Sequence, residues 1–325
     1  MKRNFLILVL SILTLPALQR YAIADGIPLQ DQCELITTLP ERAAEMMITV
    51  DGFVNGLSGF DLQSKTLTIG TVTREEYLEF LKGRAMEYTY EDVEKLKRVA
   101  ASITKKLDDA GLHPAFPPII EVIKTDMKEE SGASAYTRLN YIAMSADMFG
   151  MSDKDFEDVF IHELFHVLSR NNPVLQGKVY NSLGFKKSNE VPYPDGIQRI
   201  SNPDAPFNNY YITVESADGP VDAMLVLYSL KDYEGGSFFR YAKLGLMVVE
   251  GDDNNKTPVI KDGKPVILQL DEVSNFFEQV GRNTGYIIHP EEASADHFRM
   301  LVNKESAPDQ WIIDKLKTII QESGS

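Results

Sequence analysis

The residues most able to do chemistry in this chain are its five histidines, four of which lie in two short stretches. The first stretch is His162-Glu163-Leu164-Phe165-His166, and positions four apart in a helix lie on one face, one turn above each other. Both imidazoles can therefore reach a single metal ion. Glu163 is rotated by about 100° from His162, where a carboxylate can address a metal-bound water without binding the metal.

The H-E-x-x-H pattern inside a predicted helix is typical of zinc-assisted hydrolysis, and it is the strongest signal in the chain. Zinc lowers the pKa of its water toward about 7, and the resulting hydroxide attacks a carbonyl that the ion polarises. We therefore expect Zn²⁺ as the cofactor, with His162 and His166 as ligands. Glu163 is the predicted general base, which takes the proton of the water and passes it to the leaving amine.

A catalytic zinc site usually has three protein ligands and one open position, so a third ligand must be found. The extended metzincin motif is excluded, because it requires Gly at 169 and His at 172, where this chain has Ser169 and Asn172. The second histidine-containing stretch, 289–297, offers Glu292-Ala-Ser-Ala-Asp296 on a predicted helix. Residues four apart there share a face, as the two histidines do.

The H-E-x-x-H at 162–166 followed by Glu292-x-x-x-Asp296 resembles the gluzincin branch of the zinc metallopeptidases, the thermolysin-like group in the broad sense. The resemblance covers these motifs only. It implies an α+β fold with a zincin-like core, in which a mixed sheet supports the active-site helix. It also implies that Glu292 is the third zinc ligand, and that Asp296 accepts a hydrogen bond from the outer nitrogen of His162 and so fixes its tautomer.

Two alternatives for the third ligand stay open at this point. Glu291 would replace Glu292 if the helix register differed by one residue, although Asp296 favours Glu292 because the two are four residues apart. Glu190 and Asp195 are a second alternative, closer to a zincin with an aspartate ligand. The gap between His166 and Glu292 is much longer than in thermolysin, which agrees with a β-rich insertion between the two motifs.

The same resemblance implies further parts of the site. Some gluzincins place a tyrosine shortly upstream of the ligand glutamate, so Tyr286 is the first candidate to stabilise the oxyanion, with His289 and His297 as rivals. Gluzincins also have an edge strand before the H-E-x-x-H helix, and residues 136–144, predicted to be extended, occupy that position. An edge strand binds an extended peptide through main-chain hydrogen bonds; an interior strand of the same sheet is the alternative.

Periodicity and capping signals predict the elements that position these residues. Thr89 with Asp92 and then Gly111 enclose an amphipathic helix. Ser152 is the predicted N-cap of the helix that carries the motif, from 153 to about 170. The predicted strands and the C-terminal helices are given by range: strands at 119–123, 209–214, 223–228 and 244–249, a hairpin turn at 261–264, and helices at 271–280, 290–303 and 308–320.

These elements indicate an α+β protein with three parts: a signal peptide at 1–24, a helical and mixed region at 25–125, and a zincin-like catalytic domain at 126–325. The catalytic domain carries a β-rich insertion at about 185–270 and ends in a helical segment. Strands that cluster between two helical segments are the reason for placing the insertion there.

Composition restricts the classes of partner. The chain has 325 residues, with 33 Lys and Arg against 48 Asp and Glu and a net charge of −15. So acidic a chain is a poor candidate for binding nucleic acid or an anionic membrane surface. Its only cysteine, Cys33, excludes an internal disulfide.

Residues 1–24 have the three parts of a secretory signal peptide. Residues 1–4 are a short basic start, residues 5–18 are apolar but too short to span a bilayer comfortably, and residues 22–24 form a small-residue cleavage site. Cleavage after Ala24 would remove three basic residues and no acidic ones. We therefore expect a secreted or periplasmic protein without a stable membrane anchor.

Three functions agree with these observations. The first is an exported zinc metallopeptidase that acts on a peptide or protein substrate. The second is a non-catalytic exported zinc-binding or interaction protein, and the third is a zinc hydrolase of a non-peptide amide. Glu163 favours an enzyme, because a site that only binds zinc has no need of a base beside its ligands.

Overall fold

The computed structural model describes residues 26–30 and 32–323, so the predicted signal peptide lies outside the described residues. Within them the chain is an α+β protein. The helices are α1 Pro40–Met47, α2 Gly52–Gly56, α3 Gly59–Thr66, α4 Arg74–Lys82, α5 Tyr90–Ala110, α6 Asp153–Asn171, α7 Pro173–Ser182, α8 Phe276–Val280, α9 Pro290–Asn303 and α10 Gln310–Ser323. The strands are β1 Ile27–Pro28, β2 Glu34–Thr37, β3 Ile119–Thr125, β4 Ala135–Arg138, β5 Tyr141–Ser145, β6 Phe185–Lys187, β7 Gln198–Arg199, β8 Tyr210–Ser216, β9 Gly219–Ser229, β10 Lys243–Glu250, β11 Thr257–Pro258, β12 Ile260–Lys261, β13 Lys264–Pro265 and β14 Ile267–Leu268.

The first sheet is mixed and has the strand order β1-β2-β3-β5-β4. β3 pairs in parallel with both β2 and β5, whereas β4 is antiparallel to β5 and forms one edge. All five side chains of β5 are buried, as expected where both faces of a sheet are covered. The predicted boundary between the region 25–125 and the catalytic domain 126–325 falls directly after β3. Because β3 pairs with β5, this boundary divides the strands of one sheet.

The two faces of the first sheet pack against different helices. On one face Ile120, Val122 and Ile142 join a large apolar cluster that includes residues of α5, α6, α9 and α10. On the other face Ile123 and Tyr141 pack against residues of α1, α2 and α4. The sheet is therefore a central layer, and α6 lies directly on it.

A second sheet, antiparallel throughout, has the order β11-β10-β9-β8-β6, with β14 beside β10 and β7 beside β9. All of its strands lie between Phe185 and Leu268. The predicted hairpin turn at 261–264 is confirmed as the connection of β12 and β13. Asp262 and Gly263 both have positive φ, 52° and 74°, which a two-residue type I′ turn requires.

Local capping determines where α5 and α6 begin. The side chain of Thr89 accepts a hydrogen bond from the backbone N–H of Asp92, whose carboxylate accepts one from the N–H of Thr89. Ser152 caps α6 in the same position, as its side chain accepts from the N–H of Asp155 at 3.1 Å. Both predicted helix starts are confirmed, because caps of this kind depend only on residues three apart.

Two sequence-based predictions of elements were wrong. Residues 136–144 form not one extended segment but the β4–β5 hairpin, which turns at Leu139 with a φ of 51°. The helix predicted at 271–280 is a short 3₁₀ turn followed by α8, because Val273 bridges to Ser216 of β8 and the N–H of Ser274 donates to Glu215. In both places a tertiary contact overrides the local pattern.

No helix among residues 26–30 and 32–323 combines the length and the hydropathy needed to cross a membrane.

A buried carboxyl group makes the stability of this fold depend on pH. Glu129 is 1% exposed beside Tyr136, and burial raises its pKa to about 7. The native carboxyl holds its proton more tightly than an unfolded one, so its contribution is complete below the unfolded pKa of about 4.3 and is lost as pH rises through 7. We expect the free energy of unfolding to fall by about 3 kcal/mol over this range because of Glu129.

Urea unfolding of the wild type and of Glu129→Gln at several pH values between 4.5 and 8 measures this contribution. In the variant, the free energy of unfolding should fall less steeply with pH, because the contribution of Glu129 is missing. Subtracting the two curves removes the contributions of all other titrating groups. Parallel pH dependences in the two proteins would show that Glu129 has an ordinary pKa.

Candidate metal centre

α6 presents two imidazoles toward α9. The rings of His162 and His166 lie one helical turn apart, with centroids separated by 4.8 Å and planes at 81° to each other. The side chain of His166 is fully buried, and that of His162 is 13% exposed. The pair therefore lies at the inner end of an opening that reaches solvent at His162.

Glu292, in the first turn of α9, lies between these two rings. Its Oε2 atom is 3.0 Å from Nε2 of His162 and 3.4 Å from Nε2 of His166. The second contact has no hydrogen-bond geometry, so Nε2 of His166 is a buried polar atom without a hydrogen-bond partner. One atom from each of the three side chains lies within 4.8 Å of the other two. The inner nitrogens and this carboxylate thus converge on a single point.

The outer nitrogen of His162 faces a different carboxylate. Nδ1 of His162 is 3.2 Å from Oδ1 of Asp296, one turn beyond Glu292 on α9. The other oxygen of Asp296 accepts a hydrogen bond from the hydroxyl of Thr284. The ring of His162 is therefore held with Nε2 turned inward, and this contact of Asp296 is the one that the resemblance to gluzincins implies.

The outer nitrogen of His166 has its own carboxylate, and that carboxylate belongs to Glu291. Nδ1 of His166 is 2.9 Å from Oε1 of Glu291. This oxygen also accepts a hydrogen bond from the hydroxyl of Ser169, and Oε2 accepts one from the hydroxyl of Tyr180. Glu291 does not stand between the two inner nitrogens. The alternative in which it takes the place of Glu292 is therefore not the arrangement found, and the sequence did not indicate its contact with His166.

The carboxylates favour positive charge between the two imidazoles. Burial alone would lower the pKa of His162, but the hydrogen bonds to Asp296 and Glu292 outweigh it and raise this pKa to about 9. Burial likewise opposes the charged form of His166, and the negative charge of Glu292 raises its pKa above the usual value. Burial would raise the pKa of Glu292, and the two imidazoles instead hold it well below its ordinary range. The carboxylates thus favour positive charge on the two imidazoles.

Glu163 lies beside the imidazole pair and not within it. Its Oε2 atom accepts a hydrogen bond of 2.7 Å from the hydroxyl of Thr137 on β4. The side chain is buried, and burial raises the pKa of its carboxyl. Glu163, His166 and Asp204 form a second group of candidate ligand atoms within 4.8 Å of one another.

The loop that follows β7 reaches the same place and was not predicted from the sequence. The side-chain amide of Asn202 donates a hydrogen bond to Oε1 of Glu292. Asp204 accepts one of 2.5 Å from the backbone N–H of Thr137. Neither residue belongs to a recognisable spacing pattern in the sequence. The packing of the β-rich region brings this loop to α6 and β4, so the sequence alone does not reveal these contacts.

The three candidates for an oxyanion-stabilising residue have different surroundings. Tyr286 is 43% exposed, and its ring centroid is 5.9 Å from that of His162. His289 instead caps α9, where its Nδ1 accepts from the N–H of Glu291 at 3.1 Å. His297 is 1% exposed. Of the three, Tyr286 is the residue that lines the open space in front of His162.

The second alternative for the third ligand lies away from the imidazoles. Both carboxylate oxygens of Glu190 accept from the backbone N–H of Asn208, at 3.0 and 2.9 Å. Asp195 is exposed in the loop before β7. Among the described residues, neither belongs to a group that includes His162 or His166.

The open space in front of His162 is a cleft of about 590 Å³. His162, Glu163, Glu292 and Tyr286 contribute to its wall, and Ala135 of the edge strand β4 lies along it. Further along β4 the main chain of Thr137 is already bound, because Asp204 accepts from its N–H and the guanidinium of Arg170 donates to its carbonyl. The predicted segment at 136–144 thus contains most of the edge strand β4 and most of the interior strand β5, and Ala135, the first residue of β4, borders the cleft.

The donor set fits a divalent metal such as zinc. Two neutral imidazole nitrogens and one carboxylate oxygen are a ligand set of catalytic zinc sites, and each imidazole is oriented through its other nitrogen by a carboxylate. The buried Nε2 of His166, without a hydrogen-bond partner, is an atom that a metal would satisfy. The cleft beside Glu292 leaves room for a further ligand.

Comparison of the chain with protein-family models, with curated proteins and with solved structures found no match.

Proposed function

We propose that this chain is a zinc-dependent metallopeptidase with a zincin-like core, exported from the cell that makes it. His162, His166 and Glu292 are the proposed zinc ligands, and Glu163 is the proposed general base. The observation that carries the proposal is the position of one carboxylate oxygen, Oε2 of Glu292, at 3.0 and 3.4 Å from the two inner imidazole nitrogens of an H-E-x-x-H helix. Export rests on the sequence of residues 1–24 alone.

The arrangement assigns separate tasks to the side chains. Zinc, when bound, polarises the scissile carbonyl and makes a water acidic at neutral pH. Glu163 accepts the proton of the attacking water at its carboxylate and passes it to the leaving amine. The hydroxyl of Thr137, 2.7 Å from Oε2 of Glu163, keeps that carboxylate in one orientation. Asp296 and Glu291 hold the imidazoles with their inner nitrogens directed at the metal.

Tyr286 is the proposed donor to the developing oxyanion. Its phenol lies at the cleft wall, and the negative charge of Glu292 raises its pKa far above the usual range, so the hydroxyl keeps its proton. A neutral hydroxyl can donate a hydrogen bond to a carbonyl oxygen on which negative charge develops. Tyr286 is half exposed, so its ring can turn toward a bound peptide.

The proposal is tested on the purified chain without its first 24 residues. We expect about one equivalent of zinc by mass spectrometry, and cleavage of a broad peptide library that stops in a chelator and returns when zinc is added. A chain that binds zinc but cleaves nothing would be the non-catalytic binding protein. Cleavage of small amides without cleavage of peptides would instead identify the non-peptide hydrolase.

Glu291→Gln should weaken zinc binding by about 10- to 100-fold without abolishing it, because the variant loses the charge that orients His166 and raises its basicity. Glutamine keeps the shape of the side chain and can still bond with the hydroxyls of Ser169 and Tyr180. Competition with a chelator of known affinity measures the change, and Glu278→Gln, an exposed position of α8, is the matched control. Unchanged affinity would contradict the assigned role, and complete loss of zinc would make Glu291 itself a ligand.

A further inference from the structure

A second cavity, of about 260 Å³, opens beside the cleft. We call it the side cavity, and its wall includes Leu227, Phe238, Ala242 and Ile288. It shares Ala133, Ala135, Asp204, Phe239 and Tyr286 with the cleft, so the two spaces adjoin each other. An extended chain that lies along β4 in front of His162 would pass the mouth of the side cavity.

The wall of the side cavity is almost wholly apolar. Leu227 lies on β9, and Phe238 and Ala242 lie in the segment that leads into β10, so the β-rich region supplies most of it. At its rim Phe239 is 60% exposed and Tyr286 is 43% exposed. Large apolar side chains exposed together at the mouth of a concave site are typical of a surface that binds an apolar group.

Three of the polar side chains in this wall, those of Glu130, Ser201 and Asn202, already have partners within the chain. Both carboxylate oxygens of Glu130 accept from Nζ of Lys65, at 2.7 and 2.6 Å, and both side chains of this ion pair are buried. The hydroxyl of Ser201 donates to Asp61 at 2.7 Å.

The amide of Asn202, also in this wall, donates to Glu292. Asp204, whose Oδ1 accepts from the N–H of Thr137, lies where the side cavity meets the cleft. Away from Asp204, a polar group that entered the side cavity would lose water without gaining an equivalent hydrogen bond from these three side chains, which is unfavourable. Both oxygens of Glu130 in particular are engaged by the ammonium group of Lys65, so Glu130 does not favour a basic side chain in this cavity.

The volume of the side cavity fits one large apolar side chain. An apolar protein cavity of about 150 Å³ is enough to bind benzene. A space of about 260 Å³ therefore accepts a phenyl ring or a long aliphatic side chain together with the carbons that connect it to a backbone.

We infer that the side cavity is the specificity pocket of the proposed peptidase, which takes an aromatic or long aliphatic side chain of the residue next to the scissile bond. This inference rests on the proposed function and adds the class of substrate to it. The side cavity adjoins the cleft at Ala135 and Tyr286, and this adjacency is what would place the bound side chain next to the reacting carbonyl.

The first experiment measures occupancy without catalysis. Binding of N-acetyl-phenylalanine amide and of N-acetyl-alanine amide to the zinc-loaded protein is followed by saturation-transfer NMR. In Ala242→Trp an indole fills the cavity, and Ala242→Leu is a milder filling that keeps the test valid if the tryptophan variant does not fold. Ala101→Trp, at an exposed position of α5, is the matched control.

We expect the phenylalanine amide to bind the wild type and Ala101→Trp at least 10-fold more tightly than it binds Ala242→Trp, with a smaller loss in Ala242→Leu. The alanine amide should bind all of these proteins weakly and equally. Equal binding of the phenylalanine amide to the wild type and to the filled variants would overturn the inference, as would equal binding of the two amides to the wild type.

The second experiment measures which residues flank the bonds that the protein cleaves in a peptide library. The bonds cut by the wild type should have an aromatic or long aliphatic residue at one fixed position beside the bond. Ala242→Trp should change that preference toward small residues by at least 10-fold. A library that the zinc-loaded wild type leaves intact would refute the proposed function, whereas the binding measurement would still decide whether the side cavity takes apolar side chains. Cleavage with no apolar preference would refute the pocket and leave the peptidase standing.

Discussion

Glu163→Gln should lower kcat/KM for peptide hydrolysis by about three orders of magnitude while the protein keeps about one equivalent of zinc. The amide of glutamine cannot take a proton from water, so the step that Glu163 performs is lost. Its oxygen can still accept the hydrogen bond from Thr137, which holds the side chain at 2.7 Å in the wild type. The variant therefore removes the proposed proton acceptor and keeps the position of the side chain in the cleft.

Zinc content by mass spectrometry and initial rates on a peptide cleaved by the wild type are the two measurements. Glu91→Gln, at an exposed position in the first turn of α5, is the control for removal of a carboxylate by the same substitution. Hydrolysis at the wild-type rate would refute Glu163 as the base. Loss of zinc together with activity would instead show that Glu163 holds the metal, as a member of the group that includes His166 and Asp204.

His166→Ala should release the zinc. The affinity of structural zinc sites in peptides, about 10–16 kcal/mol over four ligands, corresponds to roughly 3 kcal/mol per ligand, or more than about a 100-fold loss of affinity. His166 is fully buried, and its removal also leaves the carboxylate of Glu291 without its imidazole partner. The variant should therefore lose both the metal and part of its stability.

Circular dichroism shows whether the variant is folded before its zinc content is compared with that of the wild type. His113→Ala is the matched control, because His113 is exposed and lies outside the two histidine-containing stretches. A folded His166→Ala protein with unchanged zinc content would remove His166 from the set of ligands. The same comparison applied to Glu292→Ala tests the third ligand. This variant should lose its zinc, whereas Glu291→Gln should only weaken zinc binding.

The starts of three helices were the most predictable features of the fold. The starts of α5 and α6 follow from capping pairs at Thr89 and Ser152, and α9 begins at Pro290 as predicted. These signals involve residues three or four apart, so the local sequence contains them completely. The β4–β5 hairpin was not predicted, because its turn depends on a left-handed Leu139, which is an uncommon conformation for leucine.

The order in which the strands of the β-rich region pair could not be predicted from the sequence either. Strong strand patterns identify β8, β9 and β10, yet they do not say that β9 has β8 on one side and β10 on the other, with the short β7 also beside it. Pairing of strands depends on contacts between residues far apart in the chain. The loop with Asn202 and Asp204 reaches the imidazoles as a consequence of that pairing, so it could not be predicted either.

What the sequence by itself determined is the chemistry that α6 offers. The spacing of His162 and His166 places two imidazoles on one helical face, and the next residue, Glu163, lies about 100° away, because 3.6 residues make one turn. Only the tertiary structure decided which of the two adjacent carboxylates, Glu291 or Glu292, lies between the inner nitrogens. Glu291 and Glu292 are adjacent in sequence and point in directions about 100° apart, so the packing of α9 on α6 places Glu292 between the rings and Glu291 behind His166.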